Sequence, residues 1–245
     1  MKHFGWLLVL SLSAYGALPQ GKQSPLNEVQ RVERFDQAFQ NPTIEPQRLK
    51  QMAFSLKQKA VPTLIRVMKE AKYPEKNRWQ ATMLLGQVMG KKSAPFIAKF
   101  ADHPAWMMRV ASLKALAALS MKEYQTVYSR ALRDPSLIVR VQALDNISHM
   151  KITTLAPNVW NMMYDQTNYS GSTGKRKRTS IVRSIIRTLG DLRYTPAKPA
   201  LAKLIQKPKY QDLAADLNYS LETITGTKAP RADLVAVRNH WKKSL

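Results

Sequence analysis

Three arginines, Arg78, Arg109 and Arg140, stand 31 residues apart, and the residues around them repeat with them. A unit of that length cannot bury its own apolar face, so the chain must fold as an array of similar units that cover one another. In this register the apolar columns are Trp79/Val110/Val141, Thr82/Leu113/Leu144, Leu85/Leu116/Ile147 and Val88/Leu119/Met150. Their spacing of three to four residues predicts one helix per unit with one buried face. A small-residue column, Gly86/Ala117/Ser148, marks where neighbouring helices are expected to approach closely.

A second helix in each unit is announced by Pro95, Thr126 and Pro157, again one period apart. Proline is tolerated in a first helical turn, where its missing N–H has no partner to lose. Pro62 and Pro199 open helices of the same kind, which gives about five helix pairs over residues 43–226. The step from Pro157 to Pro199 is 42 residues, and the extra length falls in a Gly-rich polar run from Asp165 that leads into Lys175-Arg176-Lys177-Arg178. A loop insertion at about residues 165–178 is expected there.

The run Asp134-Pro135-Ser136-Leu137-Ile138-Val139-Arg140-Val141-Gln142-Ala143-Leu144 resembles the HEAT-repeat family, in particular the short-period bacterial type also found in phycobilisome-lyase-like proteins. The resemblance extends over about residues 45–226 and ends on Leu221-Glu222-Thr223-Ile224-Thr225-Gly226, similar to a last-repeat ending. It implies an all-α fold, an α-α superhelix whose second helices line a recognition surface, and it implies no chemistry. In this family the arginines at 78, 109 and 140 tie adjacent units together through carboxylates or helix-end carbonyls. His103 stands where the pattern has Asp, which argues against a regular Asp–Arg ladder.

Both ends of the array read as caps. Residues 17–42 contain an amphipathic stretch with Leu26, Val29, Val32 and Phe39, and residues 227–245 carry Leu234, Val237 and Trp241 on a basic helix. Residues 1–16 read as a signal peptide: Lys2, an apolar run from Phe4 to Leu12, then Ala14 and Gly16 at the positions before a cleavage site. A periplasmic or secreted protein is therefore expected, with cleavage after Gly16 and no transmembrane span. With no cysteine in the chain, disulfides and thiolate metal sites are excluded.

The formal net charge of +23 points to an anionic partner. For an exported chain an acidic protein or an anionic envelope polymer comes first, and nucleic acid is the alternative. Charge does not choose between them, and nothing in the sequence reports the oligomeric state.

Two groups of residues are candidates for binding. Overlaying the second helices puts Arg66, Lys99, Arg130, Asn161 and Lys203 at the fifth position of each. Positions three, six and seven are apolar, so at 100° per residue the fifth points outward and the cations form a row. The second group is Lys175, Arg176, Lys177 and Arg178 together with Arg183 and Arg187 on the helix that follows. Guanidinium forks there suit phosphates or carboxylates. Trp160, at an exposed position of its helix, offers a ring for stacking, with Tyr164, Tyr169 and Tyr194 nearby in sequence.

Signals for catalysis are poor, and the chain is read as a non-catalytic scaffold with no metal or cofactor. The four histidines are scattered, and no His-Glu-x-x-His occurs. Gly171-Ser172-Thr173-Gly174-Lys175 lacks the first glycine and the magnesium-holding hydroxyl of a phosphate loop. A HEAT-like DNA glycosylase is the one enzyme class with a counterpart in the sequence, a loose one in Trp160 with Asp165.

Overall fold

The computed structural model describes residues 26–169 and 179–243, so the signal-peptide region and the Lys175–Arg178 run lie outside the described residues. Within that range the chain is built from α-helices joined by short 3-10 turns, in the expected all-α array of HEAT-like pairs. The cap helix α1 (Glu28–Gln40) precedes pairs α2/α3 (Pro46–Leu56, Val61–Lys69), α4/α5 (Glu75–Met89, Ala94–Lys99) and α6/α7 (Trp106–Ala118, Gln125–Ala131). Pairs α8/α9 (Leu137–His149, Ala156–Asn161) and α10/α11 (Thr179–Asp191, Lys198–Gln206) follow, and α12/α13 (Ala214–Thr225, Leu234–Lys242) adds a sixth to the five read from the period. No helix among the described residues is long and apolar enough to cross a membrane.

Pro62, Pro95, Thr126, Pro157 and Pro199 each occupy the second residue of a second helix. First helices stack on first helices in the order α2, α4, α6, α8, α10, α12. Leu85, Leu116 and Ile147 are fully buried in that stack, and one continuous apolar core runs from Phe35 to Trp241.

Three sequence expectations need correction. The column Trp79/Val110/Val141 is not uniformly buried, since only Val110 is enclosed while Trp79 and Val141 flank an open groove. The close approach expected at Gly86 occurs at Gly190 in the same column. A Cβ at Gly190 would lie 2.7 Å from Ser220 Cα, whereas one at Gly86 would meet nothing nearer than 3.7 Å. In the N-terminal cap Val29 is exposed, and Phe35 with Phe39 anchors α1, their rings edge-on at 5.0 Å.

The arginine ties recur in each of the three units, but their partners differ, as His103 in place of Asp leads one to expect. Arg109 grips Asp134 with two bonds of 2.7 Å and also donates to the carbonyls of His103 and Pro104. Arg140 donates to Thr167 and Asn168, both at 2.8 Å, with Asp165 at 3.8 Å. Arg78 donates to the Met68 carbonyl ending α3 and lies 3.0 Å from His103 Nε2. At the start of the expected loop, Gln166–Asn168 form a 3-10 turn whose buried Asn168 accepts from Arg140.

The final helix packs on α11 and α12. Trp241 is buried, with its indole N–H on Asn218 at 2.7 Å, and Arg238 donates to the Ile205 carbonyl ending α11.

Candidate functional site

The second helices present their outward row as the periodicity requires. Arg66, Lys99, Arg130, Asn161 and Lys203 are all exposed, while Leu64, Ile97, Tyr128, Val159 and Leu201 at the third position are fully buried. The row is not one of uniformly free charges. Arg66 holds Asp36 of α1 at 2.7 Å, and that carboxylate also accepts the Tyr73 hydroxyl. Arg130 pairs with Asp102 of the preceding unit at 2.9 Å. Lys99, Asn161 and Lys203 have no side-chain partner among the described residues.

Arg183 and Arg187 do share a face of α10, but they do not stand clear for a ligand. Asp216 of α12, nearly buried, lies 3.5 Å from Arg183 and 3.2 Å from Arg187. Arg187 also stacks 4.3 Å above the Tyr219 ring. Arg183 further donates to the Asp212 carbonyl at 2.7 Å. Lys175, Arg176, Lys177 and Arg178, with the glycine-rich run before them, lie outside the described residues.

Two members of the expected site come together, Trp160 and Lys203. Helix α9 and the 3-10 turn that extends it (Met162–Tyr164) carry Trp160, Met163 and Tyr164 to one wall of a groove. Helix α11 supplies Ala200, Lys203 and Leu204 on the other wall. Pro208 then disfavours helical dihedrals at Lys207, which is extended at φ −82°, ψ 123°. The 3-10 segment that follows (Pro208–Leu213) swings Lys209 and Tyr210 onto the groove's rim. The space enclosed is about 510 Å³.

Aromatic and cationic groups alternate around this space. Trp160 meets Tyr164 edge-on at 5.4 Å, and both rings line the groove. Burial pushes the Tyr169 phenol up to about 12, so it keeps its proton at neutral pH, and its hydroxyl rests 3.6 Å from Met163 sulfur. Lys203, Lys207 and Lys209 bring three ammonium groups, and among the described residues no acidic side chain lines the groove. Aromatic rings beside cations suit a ligand that carries flat or cyclic units and negative charge.

The pairing of Trp160 with Asp165 is not assembled. Asp165 does not line the groove, and its carboxylate instead caps the 3-10 turn by accepting the Thr167 N–H at 2.9 Å, facing Arg140. That arrangement removes the residue on which a glycosylase-like reading rested. Lys207, Lys209 and Tyr210 were not singled out by sequence. Their signal is the Lys-Pro-Lys-Tyr run directly after α11, where no helical period points to a face.

No family model matches the chain, and no curated protein matches it. Among solved structures the chain is similar to the complex of CpcE and CpcF of phycocyanin lyase from Nostoc sp. PCC7120, at 14% identity and a TM-score of 0.45. The alignment covers 93% of this chain and 98% of that one. The expectation of a non-catalytic chain is corrected by this comparison. The solved complex is that of a phycocyanin lyase.

Proposed function

We propose that this chain is a helical-repeat binding protein that takes an anionic, ring-bearing polymer on its second-helix face, seated in the groove between Trp160 and Lys203. The observation that carries the reading is the make-up of that groove. Trp160, Tyr164, Tyr169 and Tyr210 share about 510 Å³ with Lys203, Lys207 and Lys209, and among the described residues no carboxylate lines it. Lys203 and Lys207 have no partner among the described residues, so a ligand's anions displace no internal salt bridge from them.

Along the same exposed row Lys99 adds a further cation beyond the groove, Asn161 is neutral, and Arg130 and Arg66 are held by Asp102 and Asp36. Acidic polysaccharide of a cell envelope fits this chemistry best. Its sugar faces stack on aromatic rings, its carboxylates meet ammonium groups, and the leader-like first 16 residues would deliver the chain to it. Single-stranded nucleic acid offers bases and phosphates to the same groups and is the competing reading.

Retention on an immobilised polyuronate, challenged in parallel with soluble uronate oligomers and a thymidine oligonucleotide, separates the two. The proposal expects elution by the uronate oligomer and loss of retention in Lys203→Glu/Lys207→Glu. Elution by the oligonucleotide alone, at far lower concentration, would transfer the reading to nucleic acid.

A further inference from the structure

The first helices carry a surface of different character. Trp79 and Lys76 on α4, Trp106, Met107, Val110 and Lys114 on α6, and Ile138 with Val141 on α8 line a groove of about 610 Å³. Trp106 is 42% exposed and Ile138 52%, among the few large apolar side chains the described residues leave open to solvent. Soluble proteins rarely leave tryptophan in an open apolar groove without a use for it, and tryptophan is enriched at the centres of protein interfaces.

Charge decides what fits. Lys76 and Lys114 are exposed on its walls, no acidic side chain lines it, and neither lysine has a partner among the described residues. A second copy of this chain, with a formal charge of +23, would be repelled. An acidic occupant is attracted. The groove is concave and crosses three stacked helices, whereas insertion into a lipid surface calls for apolar groups that protrude. Helices pack about 8–10 Å apart, so three of them span roughly 20 Å, the length of about 13 residues of α-helix at 1.5 Å each.

We infer that this groove is a protein-docking surface for an acidic amphipathic helix of about 13 residues. Its apolar stripe would lie on Trp79, Trp106, Met107 and Ile138, and its carboxylates would face Lys76 and Lys114. The site is separate from the second-helix groove and does not depend on the ligand proposed there.

The probe is a dye-labelled synthetic 14-residue peptide with leucines at every third or fourth position and glutamates elsewhere, titrated into the full chain by fluorescence anisotropy. We expect saturable binding at micromolar concentration, and at least tenfold weaker binding to a peptide of the same composition with scattered leucines. Ile138→Glu and the surface pair Lys76→Glu/Lys114→Glu should each weaken binding at least tenfold with unchanged helical circular dichroism. Lys203→Glu should leave it intact, which separates failure here from failure of the second-helix reading. Equal binding of the two peptides, or no binding of either, would overturn the inference. So would a tryptophan emission shift with phosphatidylglycerol vesicles in the absence of peptide binding, which would assign the surface to lipid.

Discussion

His103 lies between two donors, the guanidinium of Arg78 at 3.0 Å from Nε2 and the N–H of Ala105 at 3.0 Å from Nδ1. A neutral imidazole accepts from one of them and a protonated one from neither. One and two periods later Asp134 and Asp165 accept the N–H two residues ahead in the same way, and both face an arginine. Histidine thus fills a position built for a carboxylate. His103→Asp should satisfy both donors at once and stabilise the fold by about 1–2 kcal/mol, read as a higher urea midpoint at pH 7.5. An unchanged or lower midpoint would show that the Arg78 contact contributes nothing.

The same geometry fixes a pH dependence. Burial, then the nearby Arg78 charge, holds the His103 pKa below its ordinary value. Its contribution is fully present above the unfolded value of about 6.5 and is lost as pH falls below it, because the unfolded chain takes the proton first. Between pH 7.5 and pH 5.5 the natural chain should lose more stability than His103→Asp does. Parallel curves for the two proteins would exclude His103 as the group responsible.

Two glycines in one column should respond in opposite ways to alanine. At Gly190 the added Cβ would press on Ser220 Cα, whose hydroxyl is already bonded to the Ile186 carbonyl, so overpacking should cost about 1–3 kcal/mol. At Gly86 the new methyl makes ordinary contact with Ile97 and Leu119, and the gain in helix propensity should raise stability by up to about 1 kcal/mol. Thermal melts of the two variants side by side check both signs.

Lys57 holds the turn between α2 and α3 at φ 53°, ψ −131°, and Gly90 holds the turn between α4 and α5 at φ 58°, ψ −147°. That region belongs to glycine, and a lysine there carries strain. Lys57→Gly should therefore stabilise the chain by about 1 kcal/mol, measured as a shift in Tm. A loss of stability would mean that the lysine side chain has a role there outweighing its backbone.

The array was legible because its cause is periodic. Pro62, Pro95 and Pro157 fix where second helices begin, and buried third positions such as Ile97 and Val159 fix which way the fifth points. What was not legible depends on neighbours in space. Nothing near Arg183 in sequence announces Asp216, 33 residues on, yet that carboxylate pairs with both arginines of a candidate anion site. The groove was half legible. Trp160 and Lys203 follow from the helical register, whereas Lys207, Lys209 and Tyr210 arrive through a chain reversal at Pro208. Trp79 was assigned to the core by its column, and it flanks an open groove because only the Val110 position of that column is fully covered.

The central claim is that Trp160 and Lys203 together hold an anionic ring-bearing ligand. The most direct measurement is the tryptophan emission of the full chain titrated with a uronate oligomer at low salt, in parallel with Trp160→Phe and Lys203→Glu. The account predicts a saturable change in the natural chain, its absence in Trp160→Phe, at least tenfold weaker binding in Lys203→Glu, and a decline in affinity with added salt. A change of equal size that persists in Trp160→Phe, or no saturation at millimolar ligand, would contradict it.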